Sequence, residues 1–206
     1  MSRRRARHIF FLELAVWVVI IVAAIVGTVI ANAHAQSEPQ RAASAEPAPS
    51  EPEGYWTGPI NGAVPATLRG ATVLKTDELT ALLKTEKVVL IDASNAPLRP
   101  EKLAPSAPWM PTPHPIIPES LWIAGSGMGE ITPAIDAIYR AHLAEATGEN
   151  LDMPIVVYCH ERCWLSYNAA KRALSYGYSK VYWYPDGIEG WRAAGLPTSL
   201  AVAIER

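Results

Sequence analysis

The chain has two cysteines, and both lie in one short stretch, Cys159-His160-Glu161-Arg162-Cys163-Trp164. The thiolate is the nucleophilic form of cysteine, and it is favoured by neighbouring cations and by the positive end of a helix. His160 and Arg162 stand between the two thiols, and a helix is predicted to begin just after them. Two chemistries suit such a loop. In one, the Cys159 thiolate attacks an electrophilic sulfur while backbone N–H groups at the helix start hold the anionic donor. In the other, Cys159 attacks and Cys163 resolves, since three residues in a curved loop let the sulfurs meet if their Cα atoms lie about 4.4–6.8 Å apart. A third alternative stays open, because paired cysteines in exported proteins often form a purely structural disulfide. Glu161 reads as a general base or as a solvated loop carboxylate. His160 and the two thiols do not close a metal site on their own, so neither metal nor cofactor is expected. Trp164, inside the loop, is expected to shape or shield the pocket. His114 and His142 read as surface or core residues.

The loop has to be positioned by what flanks it. Ile155 to Tyr158 is a short apolar run behind Pro154, which reads as a buried strand. Ala169, Ala170, Ala173 and Leu174 give the following helix its apolar face, with Ser166 as its expected N-cap and Gly177 just past its end. A loop at the carboxyl end of a strand is where open α/β sheets bind ligands. Upstream, Thr72 to Leu74 is a weak strand, and Thr76 is expected to cap a helix running through Leu83. Val88 to Ile91 forms an apolar strand ending in Asp92. A proline-rich insertion from Pro97 to Pro118 follows, either a rigid surface excursion or a lid. Ile117 to Ile123 should return to the sheet. Gly125 to Gly129 lacks phosphate-binding spacing and reads as a turn. Thr132 caps and Pro133 opens a helix that carries Ile135, Ile138, Tyr139 and His142 on one side and ends before Gly148. Downstream, Val181 to Tyr184 is a strand and Gly187 to Ala194 a short helix around Trp191. Strands alternating with helices imply an α/β fold, a mostly parallel central sheet flanked by helices on both faces.

The amino-terminal part of the chain is not part of that fold. Arg3, Arg4, Arg5 and Arg7 precede an uncharged apolar block from Leu14 to Ala31. Residues 1–35 therefore read as a signal peptide, with Ala33-His34-Ala35 as the cleavage site, or as an N-terminal membrane anchor associating through residues 9–31. Either way the arginines stay cytoplasmic and the remainder is exported to the periplasm, soluble after cleavage or tethered to the inner membrane. Residues 36–54, rich in Pro, Ala, Ser and Glu, read as a disordered tether, and residues 55–206 as a single domain. The formal net charge is −2, and it is more negative once the arginine-rich leader is set aside. No clustered basic face suggests nucleic acid.

The run IVVYC, the loop after it, the alanine-rich helix, GYSKVYWYPDG and Trp191 together resemble the rhodanese family. That resemblance implies a rhodanese-like fold over about Tyr55 to Leu196, with Cys159 as the cysteine that carries sulfur as a persulfide. The residues His160 to Trp164 then take the place of the cradle around it, and Asp92 is a structural aspartate at an early strand end. It implies a sulfane-sulfur or thiol substrate. More narrowly, CHERCW, NAAKRAL and VYWYPDGIEGW resemble a rhodanese-like group associated with pyrroloquinoline quinone-dependent alcohol oxidation and named for a Cys-x-x-Cys-Trp motif. That likeness implies service to a periplasmic quinoprotein alcohol dehydrogenase system. Two departures stand out. Three residues rather than two separate the cysteines here, and the loop has neither a glycine nor the family's arginine five positions after the cysteine, where Trp164 stands. The alternative to catalysis is a non-catalytic rhodanese-like binding module braced by a Cys159–Cys163 disulfide.

Overall fold

The computed structural model describes residues 48–201 apart from Pro105 and Pro111. The expected signal or anchor, its membrane-associating residues 9–31 and the tether as far as residue 47 lie outside the described residues.

The element order is β1 (Thr72–Val73), α1 (Thr76–Thr85), β2 (Val89–Asp92), β3 (His114–Ile116), β4 (Leu121–Trp122), α2 (Pro133–Thr147), β5 (Ile155–Tyr158), α3 (Trp164–Ser175), β6 (Val181–Tyr184), α4 (Gly187–Ala193) and β7 (Ser199–Ala201). Five strands form the central sheet in the order β1-β6-β5-β2-β4, every neighbouring pair parallel. β5 lies at its centre, in register with β2 on one side and β6 on the other, so Tyr158 stands beside both Asp92 and Tyr184. All four residues of β5 are buried, as expected of a strand covered on both faces.

Alternation along the strands sends side chains to two separate cores. Val89, Ile91, Ile155, Val157, Val181 and Trp183 pack with Tyr139 and Leu143 of α2 and Tyr167, Ala169, Ala170 and Ala173 of α3. Leu90, Val156, Tyr158 and Tyr184 pack on the opposite face with Leu79 of α1 and Ile188 and Trp191 of α4. α2 begins and ends as its sequence dictates. The Thr132 side chain accepts from the Ile135 N–H, Pro133 occupies the first turn, and Gly148 closes the helix in the left-handed conformation.

Two expected caps differ. Lys75, not Thr76, is the N-cap of α1. Its N–H donates to the Glu78 carboxylate at 2.7 Å, and the Thr76 hydroxyl is already paired with the Tyr184 hydroxyl at 2.7 Å. Likewise Cys163, not Ser166, is the N-cap of α3. That helix starts earlier because the Trp164 N–H, which would otherwise be an orphan of the first turn, donates to the Ile60 carbonyl at 2.8 Å. Ser166 is buried inside the first turn, where its hydroxyl donates to the Cys163 carbonyl and accepts from Trp183 Nε1.

The chain after the insertion also departs from expectation. Only Leu121–Trp122 of the expected returning strand joins the sheet, beside β2. His114–Ile116 instead pairs antiparallel with Ser199–Ala201. Residues 51–54, expected as the end of the tether, are held against the domain. The Glu51 carboxylate accepts from Thr67 and from the Arg69 N–H, and Lys171 Nζ donates to the carbonyls of Pro52, Glu53 and Gly54 at 2.6–2.8 Å.

Candidate active site

β5 ends at Tyr158, and the next residue is Cys159. Its sulfur is bonded to that of Cys163, with the Cα atoms 6.5 Å apart, inside the usual disulfide range. The two cysteines are 0% and 2% exposed, whereas His160, Glu161 and Arg162 between them face solvent. The loop is thus an exposed polar arch over a buried sulfur pair.

At the Cys159 end the arch is fastened to the start of α4. The Ile188 N–H donates to the Cys159 carbonyl at 2.9 Å. Gly187 approaches so closely that a Cβ there would lie 2.4 Å from the His160 carbonyl carbon and 2.6 Å from the Glu161 nitrogen, and its φ is +61°. Both the space and the left-handed conformation require glycine. The Glu189 carboxylate then grips the arch with both oxygens, accepting from His160 Nδ1 and from the Glu161 N–H, each at 2.8 Å. Partial burial raises the Glu189 pKa, but these hydrogen bonds outweigh it and hold the carboxyl below its ordinary value.

At the Cys163 end a strap formed by residues 56–62 crosses the arch. Asn61 pairs with Cys163 as an antiparallel bridge, flanked by the Trp164 N–H to Ile60 carbonyl bond and by the Gly62 N–H to Arg162 carbonyl bond at 2.9 Å. Ile60 packs against Cys159, Cys163 and Leu165. The Trp56 ring stacks on Trp164 with centroids 4.3 Å apart and planes 12° from parallel. Asn168 accepts from the Trp56 N–H and donates to the Trp56 carbonyl, both at 2.9 Å. Arg162 takes a φ of +54° to present its carbonyl to Gly62, a conformation that glycine adopts far more readily.

The cradle expected of the loop is therefore largely occupied by the protein itself. The Glu161 N–H serves Glu189 and the Trp164 N–H serves Ile60, and Cys163 rather than Cys159 sits at the N-terminus of α3. Trp164 is buried beneath Trp56 and edge-on to Tyr167, so it forms part of the cover's seat. A groove of about 330 Å³ opens beside this stack, lined in part by Trp56, Ile60, Met128, Trp164 and Asn168.

Asp92 has a clear structural partner in His114. It is buried, accepts from the Ser94 N–H at 2.8 Å, and pairs with His114 Nε2 at 2.8 Å. The imidazole of His114 stacks on Trp122 at 4.0 Å and meets the His160 ring edge-on at 6.3 Å. Beside it, Tyr158 donates to Ser120 and accepts from the Ile117 N–H. Burial, then the Asp92 charge, pushes the Tyr158 pKa far up, so that hydroxyl stays protonated. His114, Glu189, Trp56, Ile60 and Asn168 were all missed from the sequence. Only His114 left a signal, because a buried strand-end aspartate requires a partner and the insertion offers a histidine as it rejoins the domain. Among the described residues no cluster of three or more His, Cys, Asp or Glu side chains is arranged to hold a metal ion.

The model of the rhodanese-like domain family matches residues 75–194. No curated protein matches the chain. Among solved structures, the polysulfide-sulfur transferase homodimer from Wolinella succinogenes is 20% identical with a TM-score of 0.40, over 63% of this chain and 79% of its own. The thiosulfate sulfurtransferase from Pseudomonas aeruginosa is 20% identical with a TM-score of 0.42, over 66% of this chain and 21% of its own. An uncharacterized protein from Saccharomyces cerevisiae is 18% identical with a TM-score of 0.38, over 61% and 93%. Scores this low say nothing about activity.

Proposed function

This chain belongs to the rhodanese-like domain family, and on that premise we propose that it handles sulfane sulfur outside the cytoplasm through Cys159 and Cys163. The observation that carries this reading is the disulfide that joins the strand-end cysteine to the N-cap cysteine of α3. In the reduced protein the Cys159 thiolate attacks the outer sulfur of a sulfane donor. It becomes a persulfide, and the rest of the donor leaves as an anion. The Cys163 thiolate, favoured by its place at a helix N-terminus, then attacks the inner sulfur. The Cys159–Cys163 disulfide forms and hydrosulfide is expelled. An external dithiol restores both thiols and is itself oxidised to a disulfide. His160 supplies a proton-bearing group next to Cys159, with Glu189 fixing its ring, and Glu161 and Arg162 present a mixed-charge rim to the donor.

The arginine-rich leader supports export, and residues 1–35 act as signal peptide or inner-membrane anchor. The CHERCW loop and the VYWYPDGIEGW stretch support the finer reading, that the chain belongs with the quinone-associated rhodanese-like group and serves a periplasmic quinoprotein alcohol dehydrogenase system. A second reading has its own observation. Both sulfurs are buried under the strap, which suits a non-catalytic binding module with a structural disulfide.

Intact mass separates the two. The protein is reduced, freed of reductant and exposed to a sulfane donor such as thiosulfate or polysulfide. Transfer predicts that the native protein returns to its disulfide and releases hydrosulfide, whereas Cys163→Ser, which cannot resolve the persulfide, gains one sulfur that cyanide removes. Cys159→Ser gains none. A protein that simply regains its disulfide, with no sulfur on Cys163→Ser, sinks the transfer reading in favour of the brace.

A further inference from the structure

The arch over the sulfurs presents hydrogen-bond donors at its Cys159 end, and a carboxylate of the protein takes them. Glu189 places one oxygen on His160 Nδ1 and the other on the Glu161 N–H, each at 2.8 Å. An imidazole beside a main-chain N–H is a pair that a bound oxyanion would otherwise use. Burial works against the charged form of Glu189, but the hydrogen bonds outweigh it and keep the carboxyl below its ordinary value, so at neutral pH it is an anion. It reaches the arch from a fixed base, because Gly187 at the start of α4 lies against the arch with no room for a Cβ. Two further basic side chains at the carboxyl end of the sheet have carboxylates of their own. Lys75 pairs with Asp186 at 3.1 Å and His114 with Asp92 at 2.8 Å. Arg162 stands on the arch next to Glu161, so positive charge round the approach to Cys159 is largely matched.

Resting on the sulfur-handling reading of the loop, we infer that Glu189 selects the sulfur donor by charge, favouring an organic thiosulfonate with one negative charge over the thiosulfate dianion. Its carboxylate occupies the N–H groups that the sulfonate end of thiosulfate would seek, and it repels the second charge. Replacing one anionic oxygen of thiosulfate by an alkyl group removes that charge and keeps the sulfane sulfur. The transfer step balances. The Cys159 thiolate attacks the sulfane sulfur of the thiosulfonate, and the sulfur–sulfur bond of the donor breaks. Cys159 carries the persulfide anion, and the sulfinate leaves with the bonding pair. No proton and no further oxidant is needed.

The test uses the full chain carrying Cys163→Ser, in which Cys159 is the single thiol, with and without Glu189→Gln. Glutamine keeps the size and an accepting oxygen but loses the charge. Two matched pairs of reagents are compared. Methanethiosulfonate against thiosulfate is read as the rate of sulfur gain in the intact mass, and iodoacetamide against iodoacetate as the rate of alkylation. Within each pair, Glu189→Gln should lower the preference for the less charged reagent about fivefold, and high salt should shrink that drop. If Glu189→Gln changes both members of a pair by the same factor, the residue only positions His160 and the inference falls. It falls too if neither alkylating reagent reaches Cys159. If the alkylation preference drops as expected while neither donor adds sulfur, the charge screen stands and the sulfur-handling reading is what fails.

Discussion

The two ends of the cysteine arch are held by different means. The Cys159 end is locked by shape. It continues the central strand, bonds to the start of α4, and faces Gly187 across a gap too small for a methyl group. The Cys163 end is held by a strap that lies outside the central sheet, through two main-chain hydrogen bonds, the Trp56–Trp164 stack, the Asn168 amide, Ile60 on the sulfur pair and close packing of Trp56 and Thr57 on Gly129. Disturbing the first end disturbs the layer between sheet and helix, whereas disturbing the second leaves the sheet intact. The difference teaches that one sulfur is fixed by the sheet and α4, while the cover over the pair comes from a segment that adds no strand to the sheet.

Four substitutions break or sharpen that contrast. Gly187→Ala should have the largest effect, about 3 kcal/mol of stability or more, because the added methyl meets backbone and the left-handed φ penalises alanine. Chemical denaturation measures it, and near-native stability would mean the Cys159 end is as yielding as the other. Cys163→Ser should follow, at about 2 kcal/mol for opening so short a loop, read by the same denaturation without reductant. A much smaller cost would mean the two ends stay in place without the covalent link. Trp56→Ala should cost about 1–2 kcal/mol through the lost stack. A cost rivalling that of Gly187→Ala would make the strap part of the core and erase the contrast.

Glu189→Gln should be the smallest, below about 1 kcal/mol, since the carboxylate is half exposed and screened. Its signature is pH dependence. The Glu189 carboxyl lies below its unfolded value of 4.5, so its contribution is complete above that pH and is lost as the pH falls through the depressed folded value. The native protein should therefore shed part of its stability below about pH 4.5 that Glu189→Gln does not. Parallel acid titrations of the two proteins would remove Glu189 as the grip on the arch.

Much of the scaffold was legible from local pattern. Apolar runs, β-branched in β2 and β5 and aromatic in β6, gave those strands, Thr132-Pro133 and Gly148 bounded α2, and the alternation of strand and helix gave the layered parallel sheet. The misplaced caps share a cause. Thr76 and Ser166 are good capping residue types, but each hydroxyl is engaged by a distant aromatic, Tyr184 and Trp183, and sequence distance hides such partners. β3 and β7 escaped for the same reason, being short strands that pair only with each other.

By itself the sequence determined that two thiols share one polar loop between a buried strand and a helix, because strand and helix periodicities and the positions of cysteines are local facts. It also determined the family, whose pattern lies in those same local runs. Only the tertiary structure decided what surrounds the sulfurs. Residues 56–62 carry no periodic signal, yet they close over Cys163; Glu189 lies 29 positions from His160, yet it grips that side chain; and His114 emerges from a proline-rich excursion to meet Asp92. Each contact joins segments far apart in the chain, and packing free energy, not local propensity, brings them together.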